Sequence, residues 1–219
     1  GCYGATKVKT QNIDSLAEEG CLFTDFHTAS AVSSPSRYAL LTGSYPCRKD
    51  FWVPVFLRSP LMIDTTQMTL ARVMKQAGYS TAIVGKWHLG FGTQEPTDWN
   101  KDLKPGPLEL GFDYYFGTLG ANDRGKAVIY RNRDSIYQTE NMSVFTKIYT
   151  DEALRFIQQN KGKPFFLYLA HTMPHKIIDA SPQFKGKSKG ELYGDVIEEI
   201  DWNVGRILDL VNQLGLDKN

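Results

Sequence analysis

The stretch QMTLARVMKQAGYSTAIVGKWHLG, residues 67–90, decides the fold class. Leu70, Val73, Met74 and Ala77 share one helical face, with Thr66 before them and Gly78 after, which predicts an amphipathic helix over 67–77. STAIVG at 80–85 follows at once and reads as a buried strand. The same alternation appears on both sides. Downstream, Thr150 is placed to cap a helix running to about residue 160, a turn at 162–164 follows, and FFLYLA at 165–170 reads as a second strand. Val196, Ile197, Ile200, Val204, Ile207, Leu208, Val211 and Leu214 then form the stripe of a long helix. Its acidic residues Asp195, Glu198, Glu199 and Asp201 read as the solvated face. Upstream, NIDSLAEE at 12–19 predicts a short helix capped by Asn12 and stopped by Gly20, and CLFTDF at 21–26 a strand. Helices alternating with strands predict a layered α/β fold with a largely parallel sheet. Residues 91–148, rich in Gly, Pro, Asn, Asp and Tyr, read as an irregular insertion of the kind that carries specificity.

Composition narrows the function. With 25 basic and 24 acidic residues in 219, the chain has a formal charge of +1, which argues against a nucleic-acid binder relying on a basic face. A hydrophobic content of 42% supports a sizeable core, and no apolar run reaches the roughly 18–20 residues of a membrane span. Three scattered cysteines, Cys2, Cys21 and Cys47, fit neither a disulfide scaffold nor a cysteine zinc site and read as buried small side chains.

Three polar clusters follow apolar segments: Ser33-Ser34-Pro35-Ser36-Arg37, Gly85-Lys86-Trp87-His88-Leu89-Gly90, and His171-Thr172-Met173-Pro174-His175-Lys176. Ligands of open α/β sheets bind outside the carboxyl ends of strands, where the last two clusters would share a rim. Lys86, His88 and His175 would then offer cationic and imidazole donors to one tetrahedral oxyanion. Each piece also has a plainer reading. SSPSR alone is an ordinary helix start, Trp87 a core aromatic, and His27 a hydrogen-bonded core histidine. His171 and His175 are spaced i, i+4, but Pro174 between them argues against a helical metal pair.

The combination is more specific than its parts. Ser33-x-Pro35-Ser36-Arg37-x-x-x-Leu41-Thr42-Gly43 resembles the signature of the type I, arylsulfatase A-like sulfatases, Cys/Ser-x-Pro-Ser-Arg-x-x-x-Leu-Thr-Gly. GKWHLG at 85–90 is similar to that family's second signature, and Pro174-His175, NIDSLAEEG, GPLELGFDYYFG and YGDVIEEIDWNVGRIL also resemble it. The resemblance covers essentially all of residues 1–219 as one catalytic domain. It implies an alkaline-phosphatase-like three-layer α/β/α sandwich around a mostly parallel mixed sheet, and hydrolysis of a sulfated carbohydrate or aryl sulfate. It also implies oxidation of Ser33 to formylglycine by a maturation enzyme, a divalent cation (usually Ca2+), and a periplasmic, secreted or lysosomal location. By match, Arg37 would hold the formylglycine, Lys86 would bind sulfate, His88 would assist its release, and His175 would contact sulfate and protonate the leaving alcohol. Within the insertion, Trp99 would stack on a sugar face, and Asp123 and Arg124 would hydrogen-bond sugar hydroxyls; a structural aromatic and a surface ion pair are the plainer readings.

The resemblance also implies absences. Ser33, as formylglycine, is the one member of the family's metal shell in this sequence; the carboxylates match positions before residue 1 and after residue 219. The chain therefore reads as an internal portion of a domain roughly twice as long, incomplete at both ends. Ser33 fits a natural serine-type sulfatase or a replaced cysteine. Two other readings stand beside hydrolysis of sulfate: a non-catalytic fragment or pseudo-enzyme that binds sulfated glycans, and a phosphoester or phosphonate hydrolase of the same superfamily.

Overall fold

The computed structural model describes residues 1–98, 103–123 and 125–218, and the chain divides into two compact units. One comprises 27–139 and 162–170; the other comprises 1–26, 140–161 and 171–219.

The first unit holds a five-stranded mixed sheet: β1 (Ser80–Lys86), β2 (Tyr114–Thr118), β3 (Ala127–Arg131), β4 (Asp134–Thr139) and β5 (Phe165–Ala170), in the order β4-β3-β2-β1-β5. β1 is central and parallel to both neighbours, pairing Gly85 with Gly117 on one side and with Ala170 on the other. All but its first residue are buried, as a two-neighbour strand covered on both faces requires. Helices α2 (Ser33–Thr42) and α3 (Leu70–Gln76) accompany the sheet, and α3 packs on β1. Tyr38, Leu41, Ile83, Trp87, Phe91, Phe112 and Tyr115 fill the core, with the Tyr38 and Phe51 rings edge-on at 5.9 Å.

Two close approaches shape the carboxyl end of β1. A Cβ on Gly85 would stand 2.0 Å from the Ala170 carbonyl oxygen, and one on Gly117 would stand 1.7 Å from the Gly85 oxygen. Side chains cannot be fitted there, so the three strands converge on bare backbone just before Lys86.

Several expectations change. Residues 91–148 are not an irregular insertion: β2, β3 and β4 lie inside them, and β2 is the immediate neighbour of β1. Asn132, at φ +55°, makes the tight turn between β3 and β4, and its side-chain oxygen accepts from the Tyr115 N–H. Residues 21–26 form no strand, because no strand among the described residues pairs with them, and Phe23 and Phe26 are exposed. α3 starts at Leu70, because the Thr69 hydroxyl accepts from the Arg72 N–H and caps it; Thr66 bonds Asp64 instead. Its buried residue is Ala71, while Leu70 and Val73 are exposed. Cys2, Cys21 and Cys47 are all exposed, and so is His27.

The second unit is helical, with α1 (Gln11–Glu19), α4 (Phe145–Asn160) and α5 (Glu191–Gln213), and α5 packs against the other two. α4 begins before Thr150, whose buried hydroxyl donates back to the Thr146 carbonyl from inside the helix. The acidic run on α5 is not a solvated face. Asp195, Glu199 and Asp201 are buried. Asp195 accepts from the backbone N–H groups of Gly186, Lys187 and Ser188 at 2.7–3.0 Å. Asp201 accepts from the Asn12 and Ile13 N–H groups, so it caps α1 in place of Asn12. Glu199 takes the Ser181 N–H, while burial raises its pKa. Asp195→Ala would strand three backbone donors. It is expected to lower Tm by roughly 5 °C or more, as thermal unfolding followed by circular dichroism would show.

Candidate active site

Ser33 is the first residue of α2, where backbone N–H groups have no helical acceptor and the dipole favours an anion. Pro35 fits the first turn because its missing N–H costs nothing there. Ser36 pins the turn: its N–H donates to the Val32 carbonyl at 3.1 Å and its hydroxyl to the Ser30 carbonyl at 2.6 Å.

Arg37, one turn beyond Ser33, joins helix to sheet. Its Nε donates to Ser33 Oγ at 3.2 Å, and its Nη1 donates to the Lys86 carbonyl at 2.6 Å and to the Tyr168 hydroxyl at 3.5 Å. One guanidinium therefore sets the position of the Ser33 oxygen relative to the ends of β1 and β5. Lys86, the last residue of β1, is only 2% exposed. Burial pulls its pKa down to about 8, the Arg37 charge adds to the fall, and Asp123 opposes it.

The chain leaving β1 keeps running beside the chain leaving β2. Trp87 N–H donates to the Thr118 carbonyl at 3.0 Å and His88 N–H to the Leu119 carbonyl at 2.9 Å. This carries Asn122, buried, and Asp123 alongside the Lys86 segment. Trp87 is the core aromatic of the plainer reading, its Nε1 donating to the Gly90 carbonyl. His88 is buried in the left-handed region at φ +56°, a conformation that costs a non-glycine residue roughly 1–2 kcal/mol and marks functional positions. Its Nε2 is 3.1 Å from the Val55 carbonyl. A carbonyl only accepts, so Nε2 carries the proton and a neutral ring has its acceptor on Nδ1. Val55 also donates its N–H to the buried Ser34 hydroxyl at 3.1 Å, so one residue bridges the Ser33–Arg37 turn and His88.

The structure thus gathers Ser33, Arg37, Lys86, His88 and Asp123 in one unit. His175 belongs to the other unit, in a non-helical turn, where its Nδ1 contacts the Lys176 carbonyl. His171 is a core histidine 6.5 Å from the Tyr149 ring, and burial pulls its pKa to about 4. Trp99 and Arg124 lie outside the described residues. Sequence reasoning missed Ser34, Val55 and Tyr168. Ser34 had a signal in its place beside Ser33; Val55 acts through its backbone and leaves none.

A model of the family described as "Sulfatase" matches residues 1–219. The chain belongs to the sulfatase family. It is 34% identical to an N-acetylgalactosamine-6-O-sulfatase of Bacteroides thetaiotaomicron over 100% of this chain and 53% of that protein. It is 36% identical to the N-acetylgalactosamine-6-sulfatase of Rattus norvegicus over 100% of this chain and 45% of that one. A solved structure from work on glycosaminoglycan metabolism by Bacteroides thetaiotaomicron superposes with a TM-score of 0.93 at 32% identity, covering 98% of this chain and 56% of that chain. The fold is therefore the alkaline-phosphatase-like α/β fold of the sulfatases. The chain spans about half the length of the curated relatives it matches.

A calcium-type cation takes about six to eight oxygen ligands. Among the described residues no three His, Cys, Asp or Glu side chains converge as ligands. By the family resemblance Ser33 would contribute one oxygen, so the described residues do not by themselves fit the ion. No helix of the described residues is long and apolar enough to cross a membrane.

Proposed function

We propose that the protein is a sulfuric ester hydrolase that removes sulfate from a sulfated carbohydrate, with Ser33 as the position of its nucleophile. The observation that carries this is the Arg37 bridge, which holds the Ser33 oxygen at a helix N-terminus beside Lys86. Sulfate is a tetrahedral anion, and a helix start, a guanidinium and a buried ammonium converge to receive it. A plain serine is a weak nucleophile, and a sulfated one would wait for water. Oxidised to formylglycine by a maturation enzyme and hydrated, that side chain supplies two hydroxyls on one carbon, one to attack sulfur and one whose deprotonation expels sulfate.

This chain's own groups do the remaining work. Arg37 fixes the reacting oxygen against the sheet. Lys86, as the ammonium, neutralises sulfate oxygens. His88, with its proton on Nε2, offers Nδ1 to take a proton from the side chain of residue 33 in the release step. For His175 the resemblance of Pro174-His175 to the family, rather than any geometry, suggests the proton delivered to the leaving alcohol. Asp123 supports the charge on Lys86 and faces the alcohol side.

The test compares sulfated sugars with the corresponding phosphate esters on the full-length protein; preference for phosphate would overturn the reading. Its pH profile is a sharper check. Lys86 loses its charge as pH rises through about 8, so kcat/KM is expected to fall above about pH 8. Lys86→Arg, which stays charged, removes that alkaline limb even where it lowers the overall rate.

A further inference from the structure

Lys185-Gly186-Lys187-Ser188-Lys189 places lysine at every second position, and the helical unit brings Lys7 and Lys9 to the same loop. Glu198 on α5 makes the junction: its Oε1 accepts from the Lys9 N–H at 3.1 Å and from the Ser188 hydroxyl at 2.8 Å. Val8, between the two N-terminal lysines, lies against Gly190, where a Cβ would stand 3.2 Å from Val8 Cγ2. The loop is pinned, because the N–H groups of Gly186, Lys187 and Ser188 all end on the buried Asp195 carboxylate. Lys7, Lys9, Lys187 and Lys189 are exposed, and among the described residues none of these four ammonium groups forms an ion pair. Of the carboxylates around them, Asp195 and Glu198 face backbone N–H groups, Asp179 pairs with Lys185 at 2.8 Å, and Glu191 at the start of α5 is exposed. Holding like charges together on a fixed backbone raises the local positive potential, although the chain as a whole carries only +1.

We infer that this lysine patch is a docking surface for a sulfated polysaccharide chain, the polymer that carries the ester to be cleaved. The inference rests on the sulfatase reading above and adds a contact away from the scissile bond. Lysine-rich runs of roughly five to eight residues are the electrostatic signature of surfaces for heparin-like glycans and for nucleic acids. Continuity within the helical unit favours the glycan. Lys185 is paired with Asp179, which follows His175 by four residues, and four residues span at most about 14 Å. The patch is therefore tied to the segment that runs on from the histidine matched to the leaving alcohol. A polysaccharide with one sulfate ester there has further sulfates along the same chain to meet the unpaired ammonium groups. Each exposed pair contributes little, but four of them acting on one polyanion add up, in a manner that salt screens.

The experiment uses full-length protein and two probes, heparin as a polysulfated chain and N-acetylgalactosamine 6-sulfate as a single sugar. Changing Lys7, Lys9, Lys187 and Lys189 together to Gln is expected to weaken heparin binding about tenfold or more at low salt, and to flatten its salt dependence. KM and kcat for the single sugar are expected to stay within about twofold, because a single sugar does not extend to the patch. The same four positions changed to Arg keep the charge and retain heparin binding. Equal heparin affinity in the Gln variant and the wild type overturns the docking surface alone. Double-stranded DNA binding more tightly than heparin, and losing that binding in the Gln variant, overturns the glycan in favour of a nucleic acid. A wild type that binds heparin through these lysines yet is inert on every sulfate ester overturns the sulfatase reading, and with it the docked chain as substrate.

Discussion

Ser33→Ala in the full-length protein is expected to lower kcat for a sulfated sugar by ~10^4-fold or more, with binding changed only a few-fold. Removal of a covalent nucleophile has effects of this size, because nearby groups that only stabilise charge cannot replace bond formation. Binding survives because Arg37 keeps its bond to the Lys86 carbonyl when the Ser33 oxygen is gone, so the anion-receiving groups stay in place. Single-turnover kinetics and direct titration separate the two quantities. Residual kcat above about one per cent would remove Ser33 from the nucleophile's position. Mass spectrometry of the peptide spanning residue 33 tests the accompanying oxidation: the mature side chain is lighter than serine by two hydrogens.

Gly85→Ala is expected to be a severely damaging change. Two costs coincide. Gly85 sits at φ +118°, a region side chains rarely adopt, and the new methyl carbon would meet the Ala170 carbonyl oxygen at 2.0 Å. Neither atom can move without breaking the pairing of β1 with β5. A loss of more than about 4 kcal/mol is expected, read as a Tm lower by roughly 10 °C or as insoluble protein. Activity falls in parallel, because the residue carries Lys86 on its carboxyl side. A Tm within about 2 °C of wild type would show that the strand ends part more easily than their spacing implies.

β1 and β5 were legible because each is a compact apolar run bounded by turn residues, and parallel strands covered on both faces are written that way. The candidate-site segments stand out because each hangs from such a run or opens a helix. β2, β3 and β4 were not, because they are five or six residues long, rich in tyrosine, and set among turn residues. Their burial comes from neighbours distant in sequence, and local pattern carries little of that. Residues 21–26 show the converse, an acceptable strand pattern with no strand beside it among the described residues. The acidic run of α5 misled for a related reason. A carboxylate directed at backbone N–H groups and one directed at water occupy the same place in a helical repeat, and the acceptor role of Asp195 is visible only once residues 186–188 are folded over it. In the candidate site, the polar side chains of Ser33, Arg37, Lys86 and His88 stand out in the sequence, whereas the backbone of Val55, which bonds both Ser34 and His88, left no mark.

The bond from the Asn12 N–H to Asp201 joins positions 189 residues apart. Closing so large a loop has an entropic cost that early folding events do not meet. The sheet-bearing unit is different: four of its five strands lie within residues 80–139, and the fifth ends at Ala170. During synthesis it can form its ladders while the segment around Asp201 is still inside the ribosome. α1, made before the sheet, acquires its cap only after α5 emerges, and until then its exposed amide ends and apolar face are what a chaperone would meet.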